Sequence, residues 1–219
     1  MTKPTAYVIA LLGAESTGKT TLAGALRAAL STASCRVAVV GEYLREFCTA
    51  HGRTPRIDEQ AHIAAEQTRR IEAARAGHAI VIADTTALMI AVYSDLVFGD
   101  TRLYASAQAA HARCDLTLLT ALDLAWQADG LQRDGPQVRE PVDALVRAAL
   151  GRAGSSYSVV SGRGAARVQA ALACVQRAVQ PPPYAGVDAD ADADASRWHW
   201  HCERCGDAAC ERRTMLPRA

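Results

Sequence analysis

A glycine-rich segment near the start of the chain has the residue types and spacing of a phosphate-binding loop. Residues 13–20 read Gly-Ala-Glu-Ser-Thr-Gly-Lys-Thr and match the pattern G-x-x-x-x-G-K-[ST] in full. In such a loop, backbone N–H groups turn toward a polyphosphate, and the following helix adds its dipole. Lys19 is predicted to supply a charge to the β- and γ-phosphates, and the Thr20 hydroxyl to ligate Mg²⁺. The residues expected to bind ATP are Gly13, Glu15, Ser16, Thr17, Gly18, Lys19, Thr20 and Thr21.

Residues outside this loop narrow the class of phosphate-loop protein. Guanine-specific GTPases of the common type read the base with an Asn-Lys-x-Asp loop, and this chain contains no asparagine. Motor-type ATP hydrolases usually carry a glutamate after the aspartate that ends the third strand, whereas Thr85 follows Asp84 here. The pattern therefore favours phosphoryl transfer to a small acceptor over hydrolysis of ATP as the main task.

Two carboxylates follow predicted strands. Glu42 comes after the second buried strand and Asp84 after the third. Because ligands of open α/β sheets bind outside the carboxyl ends of the strands, both groups are expected to face the phosphate site. Asp84 is predicted to serve Mg²⁺ through water, and Glu42 to bind the acceptor hydroxyl and take its proton. The alternative for each carboxylate is capping of the helix that follows.

A charged loop at residues 129–139 has the composition of a lid over the phosphates. Its glycines supply hinges, and Arg133 and Arg139 are predicted to close over the transferring phosphate and neutralise its charge. The alternative is a solvated surface loop. Trp126, just before this loop, is predicted to pack beneath it, with stacking on an acceptor ring as the alternative.

The elements that must position these residues alternate between strands and helices. Short apolar runs are typical of the buried strands of parallel sheets, and helical periodicity separates them. The predicted strands are 7–12, 35–40, 79–83, 116–119 and 158–161. The predicted helices are 18–33, one opening at Glu42, 58–76 with Asp58 as its cap, one ending near 97, one ending near 112, 142–150 and 165–179. We therefore predict an α/β P-loop NTPase fold, a parallel five-stranded sheet with helices on both faces.

Composition and charge exclude several classes of protein. The 219 residues carry a net charge of +1, which argues against a strongly basic nucleic-acid binder. No apolar run approaches the roughly 18 residues needed to span a bilayer. We expect a cytoplasmic protein with a small-molecule substrate and without a nucleic-acid or membrane partner, whose oligomeric state the sequence leaves open.

The composition changes toward the C-terminus. Residues 1–180 are predicted to form the P-loop domain, residues 181–196 a solvated linker of prolines and Asp-Ala repeats, and residues 197–219 a cysteine- and histidine-rich tail. The tail has the spacing C-x₂-C-x₄-C after two histidines, which indicates either a tetrahedral Zn²⁺ site or free reduced thiols. The candidate zinc ligands are Cys202, Cys205, Cys210 and His201, with His199 as the alternative histidine.

Four segments together resemble the ribosylnicotinamide kinase domain of the bifunctional bacterial NAD-salvage regulator. They are residues 13–22, Glu-Tyr-Leu-Arg-Glu at 42–46, Asp-Thr at 84–85 and Trp-Gln-Ala-Asp-Gly-Leu at 126–131. The resemblance implies ATP-dependent phosphorylation of nicotinamide riboside to the mononucleotide. It also implies that Lys19 and Thr20 serve the phosphates and Mg²⁺. By the same resemblance, Glu42 and Asp84 serve the ribose side, and the two arginines serve the lid.

Three kinds of function are compatible with these observations to different degrees. A small-molecule kinase, for nicotinamide riboside or for another nucleoside or sugar, is favoured because a pure sensor would not need Glu42, Asp84 and the lid arginines. The alternative is an ATP-binding regulator in which the loop senses ATP and the tail binds a partner. A nucleic-acid protein that makes contact through a zinc tail is disfavoured by the near-neutral charge.

Overall fold

The computed structural model describes residues 6–127 and 135–179. The predicted lid arginine Arg133 lies outside these residues. So do the predicted linker and the tail with its zinc-ligand candidates, which are Cys202, Cys205, Cys210, His201 and His199. Within the described ranges, no helix combines the length and the apolar character that crossing a membrane requires.

The described part of the chain contains five strands and seven α-helices, with at least one helix between successive strands. The strands are β1 (Tyr7–Leu12), β2 (Val37–Val40), β3 (Ile80–Asp84), β4 (Leu116–Thr120) and β5 (Ser158–Val160). The helices are α1 (Lys19–Leu30), α2 (Tyr43–His51), α3 (Gln60–Arg75), α4 (Ala87–Phe98), α5 (Tyr104–His111), α6 (Arg139–Arg152) and α7 (Gly164–Val179). Short 3₁₀ turns cover Ile57–Glu59 and Pro136–Val138.

The strands form one parallel sheet in the order β2-β3-β1-β4-β5, with β1 at its centre. The register places Leu11 of β1 beside Asp84 of β3, and Leu12 beside Leu119 of β4. The carboxyl ends of the three central strands therefore lie together at one edge. This confirms the predicted five-stranded parallel sheet.

Helices cover both faces of the sheet, as a parallel sheet requires. On one face, Ile9 of β1 shares a buried cluster with Leu26 of α1 and Ala171 of α7. On the opposite face, Val81 of β3 belongs to a cluster with Ile71 of α3. The continuous apolar runs seen in the sequence are thus explained by burial from two sides.

The start of α3 differs from the prediction. A 3₁₀ turn occupies Ile57–Glu59, and the α-helix begins at Gln60. Glu59 accepts the backbone N–H of Arg56 at 2.8 Å and two hydrogen bonds from the Arg53 guanidinium at 2.7 Å. The prediction that Asp58 caps this helix is wrong, because its exposed carboxylate makes only a 3.5 Å ion pair with Arg56.

A buried histidine connects the start of α4 to β4. His111 lies at 3.2 Å from the Thr86 hydroxyl through Nδ1 and at 3.0 Å from the Thr117 hydroxyl through Nε2. Thr86 in turn caps α4 by accepting the backbone N–H of Leu88. Burial lowers the pKa of His111 from 6.5 to about 4, because the charged ring would lose its hydration. A neutral imidazole therefore supports the turn that follows β3.

We expect the protein to lose stability as the pH falls through the window from 6.5 to about 4. In this window His111 takes up a proton in the unfolded chain but stays neutral in the folded one, so that acid favours unfolding. The loss from this residue amounts to about 3 kcal/mol. Urea unfolding at neutral and at mildly acidic pH measures it. His111→Gln should remove most of this pH dependence, and an unchanged dependence in the variant would contradict the assignment.

Candidate functional site

The segment between β1 and α1 is folded as a phosphate-binding loop. Its backbone has positive φ angles of 145° at Gly13, 52° at Ser16 and 76° at Gly18. A Cβ atom at Gly13 would overlap the hydroxyl of Thr120 at the end of β4. Both the backbone conformation and the lack of space therefore require glycine at position 13.

A fully buried threonine fixes the middle of this loop. The Thr17 hydroxyl donates to the carbonyl of Ala14 at 2.8 Å and accepts from the Thr120 hydroxyl at 2.7 Å. The Thr17 carbonyl accepts a hydrogen bond from Arg167 of α7 at 2.8 Å. The loop is thus held to β4 and to α7 through side chains that lie more than 100 positions away in the sequence.

Arg167 is itself held by an acidic partner. Its guanidinium is 4% exposed and donates to Asp123 at 2.7 Å and to the carbonyl of Gly162 at 2.9 Å. Burial acts to raise the pKa of Asp123, but the hydrogen bonds from Arg167 and from the Gly162 N–H outweigh it and lower that pKa. The charged pair keeps α7 aligned with the loop.

Lys19 and Thr20, at the end of the loop, make polar contacts within the chain. Lys19 Nζ donates to the carbonyls of Gly13 and Ala14, at 2.8 Å each, so that its ammonium group lies across the loop. The Thr20 hydroxyl donates to Asp84 Oδ2 at 2.6 Å. The two residues predicted to serve Mg²⁺ are therefore in direct contact.

The Thr20–Asp84 pair fits the requirements of a Mg²⁺ site. Asp84 is 3% exposed, and its Oδ1 is buried with no hydrogen-bond donor in the described part of the chain. Mg²⁺ takes oxygen ligands, commonly one or two carboxylates together with waters and substrate phosphates. A buried carboxylate with spare oxygen capacity beside the loop hydroxyl is the donor set that this ion uses.

A large cavity of about 1530 Å³ lies above the loop. The predicted phosphate residues from Glu15 to Thr21 line one part of it, and Glu42, Arg45 and Thr85 line another. Ligand pockets usually measure roughly 300–1,000 Å³. The cavity therefore has room for a nucleotide and a second small molecule side by side.

Glu42 faces this cavity and does not cap the helix that it precedes. It occupies the N-cap position of α2, yet its side chain makes no capping hydrogen bond, and its carboxylate lies 3.9 Å from Arg45 Nε. Asp84 does not cap α4 either, since Thr86 fills that role. The capping alternative considered for the two carboxylates is therefore wrong.

A buried amide joins the loops that carry the two carboxylates. Gln67 of α3 is fully buried, and its Oε1 accepts the backbone N–H of Tyr43 at 2.8 Å. Its Nε2 donates to the carbonyls of Gly41 and Thr85, at 3.2 and 3.1 Å. The bonds to Gly41 and Tyr43 flank Glu42 on both sides, and the third bond holds the residue after Asp84.

The chain after β4 is attached to the phosphate loop. The Ser16 hydroxyl donates to the carbonyl of Gln127 at 2.6 Å and accepts its N–H at 3.0 Å. Arg139 is 8% exposed and donates to the carbonyls of Leu122 and Leu124, at 3.2 and 2.9 Å. The structure thus places Arg139 on backbone carbonyls and not on the wall of the cavity.

The start of α6 and the position of Trp126 were both predicted from the sequence. Helix α6 begins at Arg139, earlier than the predicted start at residue 142, because the 3₁₀ turn at Pro136–Val138 leads directly into it. Trp126 does not line the cavity, which favours packing over ring stacking. Its indole Nε1 is buried and meets no acceptor among the described residues.

The predicted zinc site falls on residues that the structure does not describe. Among residues 6–127 and 135–179, no group of three His, Cys, Asp or Glu side chains is arranged to hold a metal ion. The assignment of zinc to Cys202, Cys205, Cys210 and His201 therefore stays a prediction.

Sequence reasoning missed the residues that hold the site together. Thr120, Arg167 and Gln67 act through contacts with distant backbone, which no local pattern reveals. The sequence contained only weak signs of two of these residues. Arg167 interrupts the apolar face of α7, and Gln67 lies on the face of α3 that also carries Ile63 and Ile71.

The fold and the loop define a P-loop nucleotide-binding protein. The profile of the family described as AAA domain matches residues 8–167, and the chain belongs to this family. The sequence matches no curated protein.

Several solved structures share the fold. The NadR protein in complex with NR is 22% identical with a TM-score of 0.63, over 84% of this chain and 50% of that one. The NadR protein in complex with NAD and AMP-PNP is 22% identical with a TM-score of 0.62, over 85% of this chain and 51% of that one. The chain thus spans about half the length of these relatives. The deoxyadenosine kinase from M. mycoides, with products dCMP and dCDP bound, is 13% identical with a TM-score of 0.53, over 79% and 100% of the chains.

Substitution of Gly13 tests the close approach of the loop to β4. In Gly13→Ala, the new methyl group meets Thr120 and the backbone is strained, so that we expect a loss of about 3 kcal/mol or more. Gly24→Ala is the matched control, because a Cβ there meets open space on α1, and it should stabilise the helix by about 1 kcal/mol. Chemical denaturation compares the two, and equal stability of both variants would refute the packing argument.

Substitution of Gln67 tests the amide that joins the carboxylate loops. Gln67→Leu keeps the volume but removes the partner of three backbone groups, of which that of Thr85 is buried and those of Gly41 and Tyr43 are partly buried, so that we expect a loss of about 2–4 kcal/mol. Gln108→Leu is the control, because that amide makes one inter-helix bond, to the carbonyl of Ala149, and its loss should cost about 1 kcal/mol. Urea unfolding provides the measurement, and a Gln67 variant no less stable than the control would exclude this role.

Proposed function

We propose that the protein transfers the γ-phosphoryl group of ATP to a hydroxyl group of a small nucleoside-type acceptor. The observation that carries this proposal is the arrangement of one cavity. Lys19 and Thr20 of the phosphate loop line it, Thr20 donates a hydrogen bond to the buried Asp84, and Glu42 lines the same cavity. A pure ATP sensor would need the loop but has no use for a further carboxylate, Glu42, in the same cavity.

The residues divide the work of the reaction between them. The loop N–H groups and Lys19 bind the phosphates of ATP, while Thr20 and Asp84 would hold Mg²⁺, which would supply positive charge to the phosphate oxygens. Glu42 binds the acceptor hydroxyl and accepts its proton as the new P–O bond forms. The bond from the γ-phosphorus to the bridging oxygen breaks, and ADP leaves. Gln67 keeps Glu42 and Asp84 at a constant separation during this transfer.

The particular acceptor that we propose is nicotinamide riboside. It is supported by the motif resemblance at residues 42–46 and 126–131 and by the fold shared with a NadR protein that was solved with NR, an abbreviation of nicotinamide riboside. Other nucleosides or a sugar are the alternative acceptors within the same reaction class. Arg133 is assigned to the lid over the transferring phosphate, whereas Arg139 supports the chain that leads into it.

A phosphoryl-transfer assay tests this function. Purified protein, Mg·ATP and a panel of nucleosides led by nicotinamide riboside are followed for ADP and for the phosphorylated product. Lys19→Ala and Glu42→Gln should each lower kcat by about 100-fold or more. The first removes the positive charge that binds the phosphates, and the second removes the proton acceptor. Glu42→Gln should still bind ATP, since the loop is unchanged.

The matched control is Glu46→Gln, four residues further along α2. Glu46 is exposed and pairs with Arg70 outside the cavity, so that its loss should change kcat by less than about twofold. Formation of nicotinamide mononucleotide by the wild type establishes reaction and acceptor together. Tight ATP binding without any phosphorylated product would refute the kinase and leave the ATP-binding regulator as the remaining interpretation.

A further inference from the structure

The cavity that Glu42 lines also has an apolar wall. Leu44, Pro55, Met89 and Tyr93 line it, together with Ile57, Val97 and Phe98. The last three are 43%, 54% and 38% exposed and are among the five large apolar side chains left exposed in the described chain. Exposed apolar groups gathered in one concave place are typical of a ligand site. A flat, weakly polar ring is the kind of group that this wall would cover.

One amide lies among these apolar residues. Gln60, the first residue of α3, lines the cavity and is 5% exposed. Its Oε1 is buried and accepts no hydrogen bond from any described residue. Gln67, two turns further along the same helix, has both ends of its amide occupied by backbone groups. The two amides therefore differ, because both ends of the Gln67 amide have backbone partners, whereas the oxygen of Gln60 has no donor in the described part of the chain.

An unsatisfied buried amide is costly for a folded protein, and such groups are rare. The cost is offset when a ligand supplies the missing partner. A glutamine presents an acceptor and a donor side by side, and a rotation of half a turn exchanges them. Its complement is a group that also carries a donor next to an acceptor.

We propose that Gln60 recognises the ring substituent of the acceptor and selects a primary amide or an amino-azine edge over a carboxylate. The proposal rests on the proposed function, because it assigns the ring end of the molecule whose hydroxyl Glu42 binds. A carboxylate has no hydrogen to donate to Oε1, and its charge would enter an apolar pocket. A carboxamide supplies both the donor and the acceptor without charge.

A second side chain of the cavity, that of Arg56, could instead favour a carboxylate. Arg56 lines the same cavity, although it is paired with Asp58 at 3.5 Å and with Glu59 at 3.3 Å. If Arg56 turned toward the ring substituent, a carboxylate would be preferred. The sign of the preference therefore separates recognition by Gln60 from recognition by Arg56.

The experiment compares nicotinamide riboside with nicotinate riboside, which differ only in this substituent. Each is measured by kcat/KM with Mg·ATP and by calorimetric titration in the presence of AMP-PNP. The wild type should prefer the amide by about tenfold or more, because a site built around a hydrogen bond rejects the analogue that lacks it. In Gln60→Leu, the ratio of kcat/KM for nicotinamide riboside to that for nicotinate riboside should fall close to one. The KM for nicotinamide riboside should rise, with little change in the KM for ATP.

Gln108→Leu serves as the control, because that amide lies outside the cavity and should leave the ratio unchanged. An undiminished ratio in Gln60→Leu, a preference for the carboxylate, or the absence of binding by either riboside would overturn the proposal. Binding with the expected preference but without turnover would refute the kinase and support the role of Gln60. Phosphorylation of both ribosides with no preference would support the kinase and refute the role of Gln60.

Discussion

The hydrogen bond between Thr120 and Thr17 is the contact on which the phosphate site depends. Parallel pairing of β1 with β4 brings the end of β4 against the start of the loop, so closely that only glycine fits at position 13. Arg167 adds a second anchor at the Thr17 carbonyl. A loop with positive φ angles is costly by itself, and these two contacts are what make it the single stable conformation.

The opposite side of the site depends on a neutral side chain. The loops after β2 and β3 each bring a carboxylate to the same edge of the sheet. Gln67 connects both loops through backbone groups. An amide suits this place because it offers a donor and an acceptor together and adds no charge beside Glu42 and Asp84.

The cavity also shows a division between polar and apolar chemistry. The phosphate loop contributes backbone, hydroxyl groups and Lys19, which suit phosphate, whereas Leu44, Met89 and Tyr93 contribute apolar surface to the same cavity. The lining thus suits two ligands of different character. This division supports transfer between two bound molecules more than storage of one nucleotide.

Local patterns in the sequence determined the strands, most of the helices and the phosphate loop, because burial in a parallel sheet and the glycine requirement are visible in short segments. They also placed Glu42 and Asp84 at the correct edge, since strand ends in such a sheet converge. The prediction for the start of α3 was wrong, because the local pattern does not reveal that Glu59 binds Arg53 and the Arg56 N–H in a 3₁₀ turn ahead of the helix. Tertiary structure alone decided that Arg139 binds carbonyls, that Gln67 joins two loops and that Gln60 Oε1 meets no donor among residues 6–127 and 135–179. Each of these depends on which distant backbone groups lie within about 3 Å, and that distance is set by the packing of α3, α6 and the sheet.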